Sequence, residues 1–437
     1  MKLTPLEAWI VNKTGIKEKS RESLENYQLN KIREVIDYGK KYSKFYKEHL
    51  KDISGNDIKS LKDFEKIPFT LPIHIKENSN KFLCVPQKDI ARIVTLRTSG
   101  TSGEEKRIYF TEKDLTLTVE FFKYGMQCIV DKNDSVLVLL PGNSYGSIGD
   151  LLKKALNDID IPCYVQGVLV KPKGTAEFIR EKGIDCIVGI PLQVLYFSRM
   201  QSETFKASIK KILLSTDYVP ETLIREIARK FNCKVFTHYG MTEMGYGGGV
   251  ECEALSGYHM RENDLYFEVI NPITGKVVKD GEYGEIVFTT LTREGMPLIR
   301  YKTGDIGCFK VDPCACGTFL KTMERVPGRI ENKIIIGKNK FLSMRDLDEI
   351  ILSFQEVINY NAYVEKKNIL HIDVAVKKEE DFYKIKEDIK DNIEKVPSVR
   401  EALIGGTLEI VLKYMEKNTE IKNSMVKRKI YDYRLRG

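Results

Sequence analysis

Residues 98–103 are Thr98, Ser99, Gly100, Thr101, Ser102 and Gly103, six small residues in a row, with Lys106 close behind. Small residues let a backbone approach a ligand closely, and consecutive N–H groups can converge on an anion. Four hydroxyls add donors, and Lys106 adds a cation. The run lies between two strand-like segments, so a phosphate-gripping turn is one reading and a flexible linker the other. It is not the loop Gly, four residues, Gly-Lys-Ser/Thr, because Glu105 stands five residues after Gly100. A second group of chemistry-bearing residues comprises Cys252, His259, Cys314 and Cys316. Six residues separate the first two and one separates the last two. Three thiolates and an imidazole satisfy tetrahedral zinc and leave no open position, so the metal would be structural. The alternative is that these cysteines are buried small hydrophobes, which is the reading for Cys84, Cys128, Cys163, Cys186, Cys233 and Cys308.

Something must position these residues, and the chain is long enough to do so. Its 437 residues allow two or three domains, and 42% hydrophobic with 30% charged residues is a soluble globular balance. The net charge of +8 arises from 70 basic against 62 acidic residues, a mixture that favours solvated faces with a weak bias towards anionic partners such as nucleotides. No basic block is dense enough for a nucleic-acid tract. No stretch reaches the apolar length of a membrane span, and the N-terminus lacks a signal-peptide core. The expected location is cytoplasmic. Nine scattered cysteines argue against a disulfide framework.

Apolar spacings of three and four predict helices over residues 1–60. From residue 91, short β runs alternate with helices: SVLVLLP, DCIVGIP, KKILLST and CKVFTHYG are strand candidates, and IGDLLKKALNDI and PETLIREIARKF helical ones. This alternation predicts a layered α/β domain with crossover connections. From residue 264 the texture becomes antiparallel, with turns at Asn271-Pro272, Thr274-Gly275 and Asp280-Gly281. After Arg329 a hairpin, two helices and two strands make a compact α+β unit. The expected fold is α/β: a large N-terminal layered domain with an antiparallel β subdomain over 1–329, and a small mobile α+β domain over 330–437.

Three further segments accompany the phosphate-loop candidate in a fixed order: HYGMTEMGYGGG at 238–249, RYKTGDIG at 300–307 and RVPGRIENKI at 325–334. Together the four resemble the adenylate-forming enzymes, which include acyl-CoA synthetases and peptide-synthetase adenylation domains. The YGMTE and LTREGMPLIRYKTGD runs look most like the phenylacetate-CoA ligase-like branch, as do the short length and the Cys/His pattern. That branch also holds adenylyl transferases acting on a deazaflavin.

The resemblance implies an ATP-dependent acid–CoA ligase acting on an aryl or related carboxylic acid through an acyl-adenylate. ATP, Mg²⁺ and CoA would be required, with structural Zn²⁺ in addition. Residues 98–103 would wrap the outer phosphates with Lys106 nearby. Tyr239, Gly240 and Met241 would run along the nucleotide, Tyr239 stacking on adenine. Thr242 would touch the α-phosphate, Glu243 hold Mg²⁺, Asp305 take both ribose hydroxyls and Arg329 assist at the ribose or phosphate. Asp217, where a small tripeptide is usual, is kept as an adenine-edge contact. Gly247, Gly248 and Tyr145 would line the acyl pocket, and Glu331 would serve as the hinge. Taken singly, Asp305 and Glu243 also read as a turn residue and a surface charge.

The tail departs from the pattern. Anchoring on Asp432 and Arg434 puts Met425-Val426 where Gly-Lys is expected. Either Lys427 supplies the adenylation lysine after a one-residue slip, or that lysine is missing. Two alternatives stand beside the ligase reading: adenylyl transfer to a non-carboxylate acceptor, and, motivated by this tail, a nucleotide-binding homologue with weakened catalysis. Expected partners are the small-molecule acid, ATP and CoA, with no nucleic acid and no membrane; homodimerisation stays open.

Overall fold

The computed structural model describes residues 3–97, 105–337, 339–366, 368–416 and 428–434. The chain separates into two compact units, Met1–Gly167 with Phe236–Val326, and Val168–Val235 with Pro327–Gly437. Among the described residues, no helix is long and apolar enough to cross a membrane.

The first unit opens with helices Pro5–Thr14 and Arg21–Tyr42. Thr4 caps the former by accepting from the Glu7 N–H at 3.2 Å, and Gly15 ends it in the left-handed region at φ 68°. The latter buries Leu24, Gln28, Ile32, Val35, Ile36 and Gly39, a stripe at helical spacing. Strands Arg92–Arg97 and Glu105–Phe110 pair antiparallel, Arg97 opposite Glu105. Helix Glu112–Met126 follows, started by a reciprocal cap between Thr111 and Asp114.

Val136–Leu139 is buried along its whole length and pairs in parallel with Cys163–Val165, with helix Ile148–Asn157 as the crossover. A strand covered on both faces loses alternation, which is why VLVL reads as a continuous apolar run. Two antiparallel ladders complete the unit. Lys234–Tyr239, Gly249–Glu251, Tyr258–Met260 and Thr322–Met323 pair in that order. Leu265–Ile270, Gly284–Thr290 and Tyr301–Gly307 form the other ladder.

The second unit contains the parallel pair Cys186–Gly189 and Lys211–Leu214 and the helix Glu221–Phe231. It also holds the hairpin of Lys333–Gly337 with Lys340–Ser343 and the helix Met344–Ile351, capped reciprocally by Ser343 and Asp346. A four-stranded sheet runs in the order Glu409–Tyr414, Ile369–Val376, Val357–Glu365, Tyr431–Asp432. Helices Glu379–Glu394 and Pro397–Ile404 belong to the same unit. The layered α/β arrangement with antiparallel sheets agrees with the fold class read from the sequence.

Candidate active site

The strand Tyr301–Gly307 organises the site. Its burial alternates: Tyr301, Thr303, Asp305 and Gly307 are buried and the residues between them are less so. Thr303, Gly304 and Asp305 stand opposite Ile286 alone, a bulge. Gly304 takes φ 74° there, a conformation that favours glycine. Thr303 Oγ1 secures the bulge, donating to the Ile286 carbonyl at 2.7 Å and accepting from the Asp305 N–H at 3.0 Å.

Tyr301 and Asp305 each meet a residue from another motif. The Tyr301 hydroxyl lies 3.1 Å from Lys106 Nζ and 3.3 Å from Glu243 Oε1. Lys106 Nζ also donates directly to Glu243 Oε1. The Tyr239 hydroxyl donates to Asp305 Oδ2 at 3.1 Å. All five residues are buried. Lysine carries three N–H donors; Glu243 and Tyr301 take two, leaving a third for an anion.

The glycine-rich segment folds back on itself after Tyr239. Thr242–Met244 is a short 3-10 turn. The Gly248 N–H reaches the Tyr239 carbonyl at 2.9 Å, and the Tyr246 N–H reaches the Met241 carbonyl at 3.0 Å. A Cβ on Gly240 would stand 2.2 Å from the Tyr246 carbonyl oxygen, so only glycine fits. Gly247 backs onto Phe121, where a Cβ would come within 2.2 Å of the ring, and Gly248 faces the Met244 sulfur. Met241 and Thr242 are half-buried. Tyr145 is 49% exposed, and its hydroxyl donates to Glu112. His238 packs beside the rings of Phe121 and Phe122, with centroids 6.1 and 6.4 Å away, and burial lowers its pKa to about 4.

Thr98, Ser99, Gly100, Thr101, Ser102, Gly103 and Lys427 lie outside the described residues. In the second unit, Asp217 Oδ2 accepts the Arg428 N–H at 3.3 Å. Arg428 pairs with buried Asp348, which also accepts from the Tyr360 hydroxyl at 2.7 Å. The Asn332 side chain donates to the Arg428 carbonyl at 3.3 Å. Arg329 is half-buried in a two-residue strand, and Glu331 is exposed beside Asn332.

Cys252, His259, Cys314 and Cys316 converge, with their ligand atoms all within 4.8 Å of one another. Cys252 follows strand Gly249–Glu251, His259 sits within strand Tyr258–Met260, and the other two flank a turn closed by the Gly317 N–H on the Cys314 carbonyl at 2.9 Å. The Cys252 and Cys314 sulfurs are 3.7 Å apart, and Cys316 Sγ is 3.6 Å from His259 Nε2. A tetrahedron with Zn–S near 2.3 Å and Zn–N near 2.0–2.1 Å has edges of about 3.8 Å (S–S) and about 3.5 Å (S–N). The donor set therefore fits in both chemistry and size. The six remaining cysteines are buried free thiols.

Sequence reading missed Tyr301, Arg293 and Asp114. Arg293 is buried against Phe110 and donates to the Glu243 carbonyl at 2.7 Å. Asp114 accepts the Glu294 and Gly295 N–H groups at 3.0 and 3.1 Å. The signal for Tyr301 was available, because period two along YKTGDIG puts it on the face of Asp305. No local pattern marked the other two.

A family model described as AMP-binding enzyme matches residues 31–291. The chain is 26% identical over 432 residues to a phenylacetate-coenzyme A ligase of Thermus thermophilus, covering 90% of this chain and 93% of that one. It is 26% identical over 374 residues to the Escherichia coli phenylacetate-coenzyme A ligase, covering 82% of each. Among solved structures it is similar to 2-hydroxyisobutyryl-CoA ligase in the postadenylation state in complex with R3-HIB-AMP. The TM-score is 0.79 at 16% identity, over 94% of this chain and 90% of that one, a likeness of fold.

Proposed function

Because the chain belongs to the AMP-binding enzyme family, we propose that it is an ATP-dependent acid–CoA ligase of the phenylacetate-CoA ligase-like branch. The carboxylate of an aryl or related acid attacks the α-phosphorus of ATP and pyrophosphate leaves. The CoA thiol then attacks the acyl carbon of the adenylate and AMP leaves. The observation that carries this reading is the convergence of Lys106, Glu243 and Tyr301, with Asp305 of the same strand paired to Tyr239. Three separate segments place a cation, a carboxylate and a ring together within one unit.

Each residue has a role in this reading. The spare N–H of Lys106 meets phosphate charge, in company with the backbone and hydroxyls of 98–103. Tyr239 presents a ring to adenine, while its hydroxyl holds the Asp305 carboxylate that accepts from the ribose hydroxyls. Thr242 contacts the α-phosphate. Glu243 holds Mg²⁺, whose contribution is to offset charge on the transferring phosphates. Arg329, Asp217, Gly240, Met241, Gly247, Gly248 and Tyr145 complete the nucleotide and acyl contacts. Glu331 hinges a C-terminal domain that begins at 330, and Lys427 supplies the adenylation cation. Cys252, His259, Cys314 and Cys316 hold a structural zinc. The enzyme is proposed to work in the cytoplasm.

ATP–pyrophosphate exchange with a panel of aryl and aliphatic acids tests the first half-reaction. Exchange dependent on an acid is expected. Nucleotide binding with no exchange for any acid would favour a homologue with weakened catalysis, the reading that Met425-Val426 supports.

A further inference from the structure

Arg293 is 7% exposed, yet its guanidinium ends on backbone carbonyls. Nη1 donates to the Glu243 carbonyl at 2.7 Å and Nη2 to the Tyr109 carbonyl at 3.0 Å. The guanidinium lies 4.4 Å from the centroid of Phe110. Its Nε has no hydrogen-bond partner among the described residues. Desolvation lowers the Arg293 pKa, with Asp114 and Glu243 opposing that effect. A buried cation with neutral acceptors is a poor stabiliser, and apolar residues of similar volume often do as well in such places. Stability alone therefore gives a weak reason for arginine here.

The owners of the two carbonyls give a better one. Glu243 is the carboxylate partner of Lys106. Tyr109 lies three residues after Lys106 on strand Glu105–Phe110. The arginine thus joins the turn that bears the carboxylate to the strand that bears the cation. Its own base is held by Asp114, which takes the next two N–H groups of the chain. A Cβ at Gly295 would come 2.7 Å from Asp114 Oδ2, so this anchorage needs glycine.

We propose that Arg293 is a positioning residue for adenylation: it locks the Glu243 turn to the Lys106 strand and so sets how the carboxylate and the cation meet the phosphates. This rests on the acid–CoA ligase reading. Misplacing a catalytic group by about 1 Å can cost on the order of 100-fold in rate.

The test compares wild type with Arg293→Lys in acid-dependent ATP–pyrophosphate exchange while titrating Mg²⁺. Arg293→Lys is expected to keep its fold by circular dichroism, lose on the order of 100-fold in kcat and need more Mg²⁺ for half-maximal rate. Its KM for ATP should change far less. In a cycle with Glu243→Gln, the two losses should fall well short of additive, because one residue acts through the other. A folded Arg293→Lys with unchanged kcat and Mg²⁺ dependence overturns the proposal, as do additive losses. If Arg293→Lys does not fold, Phe110→Leu, which removes the ring beneath the guanidinium, must show the same Mg²⁺ shift. Misfolding of both means a purely structural arginine and also overturns the proposal. Absence of exchange in wild type with every acid would instead sink the ligase reading.

Discussion

Lys106 and Glu243, 137 positions apart in the chain, form an ion pair in which the side chains are 11% and 3% exposed. Removing one member of a buried pair leaves the other desolvated and uncompensated, a loss of about 3–5 kcal/mol. Lys106→Met and Glu243→Gln should each lower stability in urea denaturation, the methionine variant more, because methionine offers Glu243 no donor whereas the glutamine oxygen still accepts from Lys106. The double variant should lose less than the sum of the two. Additive losses would show that the contact carries no coupling.

The Cys/His cluster should hold about one zinc per chain, measurable by elemental analysis of protein purified without chelator. Glu7 ties this region to the first helix, accepting from Thr318 Oγ1 at 2.8 Å and the Phe319 N–H at 3.0 Å. Trp9, the sole tryptophan, lies on the same helix and stacks on Tyr124 at 5.5 Å. Chelation or Cys316→Ser should therefore lower the thermal midpoint and shift Trp9 emission to the red. Protein that carries no zinc, or loses it with no change in either readout, would refute the assignment.

His238 should make stability depend on pH. Burial lowers its pKa from 6.5 to about 4 in the folded chain. Between those values the unfolded chain takes up a proton that the native ring does not. Stability is therefore complete above about pH 6.5 and declines as pH falls towards 4, by about 3 kcal/mol. His238→Asn lowers stability at pH 7 through lost packing but should flatten this slope. An unchanged slope would assign the acid sensitivity elsewhere.

Lys427→Ala should abolish acid-dependent pyrophosphate exchange while leaving thioester formation from a supplied acyl-adenylate largely intact. Unchanged exchange would reject Lys427 as the adenylation lysine.

Much of the fold was legible because its cues are local. VLVL and the capping pairs Thr111/Asp114 and Ser343/Asp346 state their structure in a few residues. Of the candidate site, ordered motifs singled out Lys106, Tyr239, Glu243 and Asp305, which the fold brings into the pairs Lys106–Glu243 and Tyr239–Asp305. The sequence was silent where a residue acts through distant backbone. Arg293 is an ordinary turn arginine until Tyr109 and Glu243 are brought to it. Within the second unit, Glu349 accepts the Glu221 and Thr222 N–H groups at 2.8 and 2.9 Å, capping a helix from 128 and 127 positions away. No local pattern encodes such a cap.

The central claim is most directly tested by incubating the protein with ATP, Mg²⁺, CoA and phenylacetate or a related aryl acid, and identifying every product by mass spectrometry. The expected result is acyl-CoA, AMP and pyrophosphate in equal amounts, none of them formed when the acid is omitted. ATP cleaved to ADP, or an adenylylated acceptor that is not a carboxylic acid with no acyl-CoA, would contradict it.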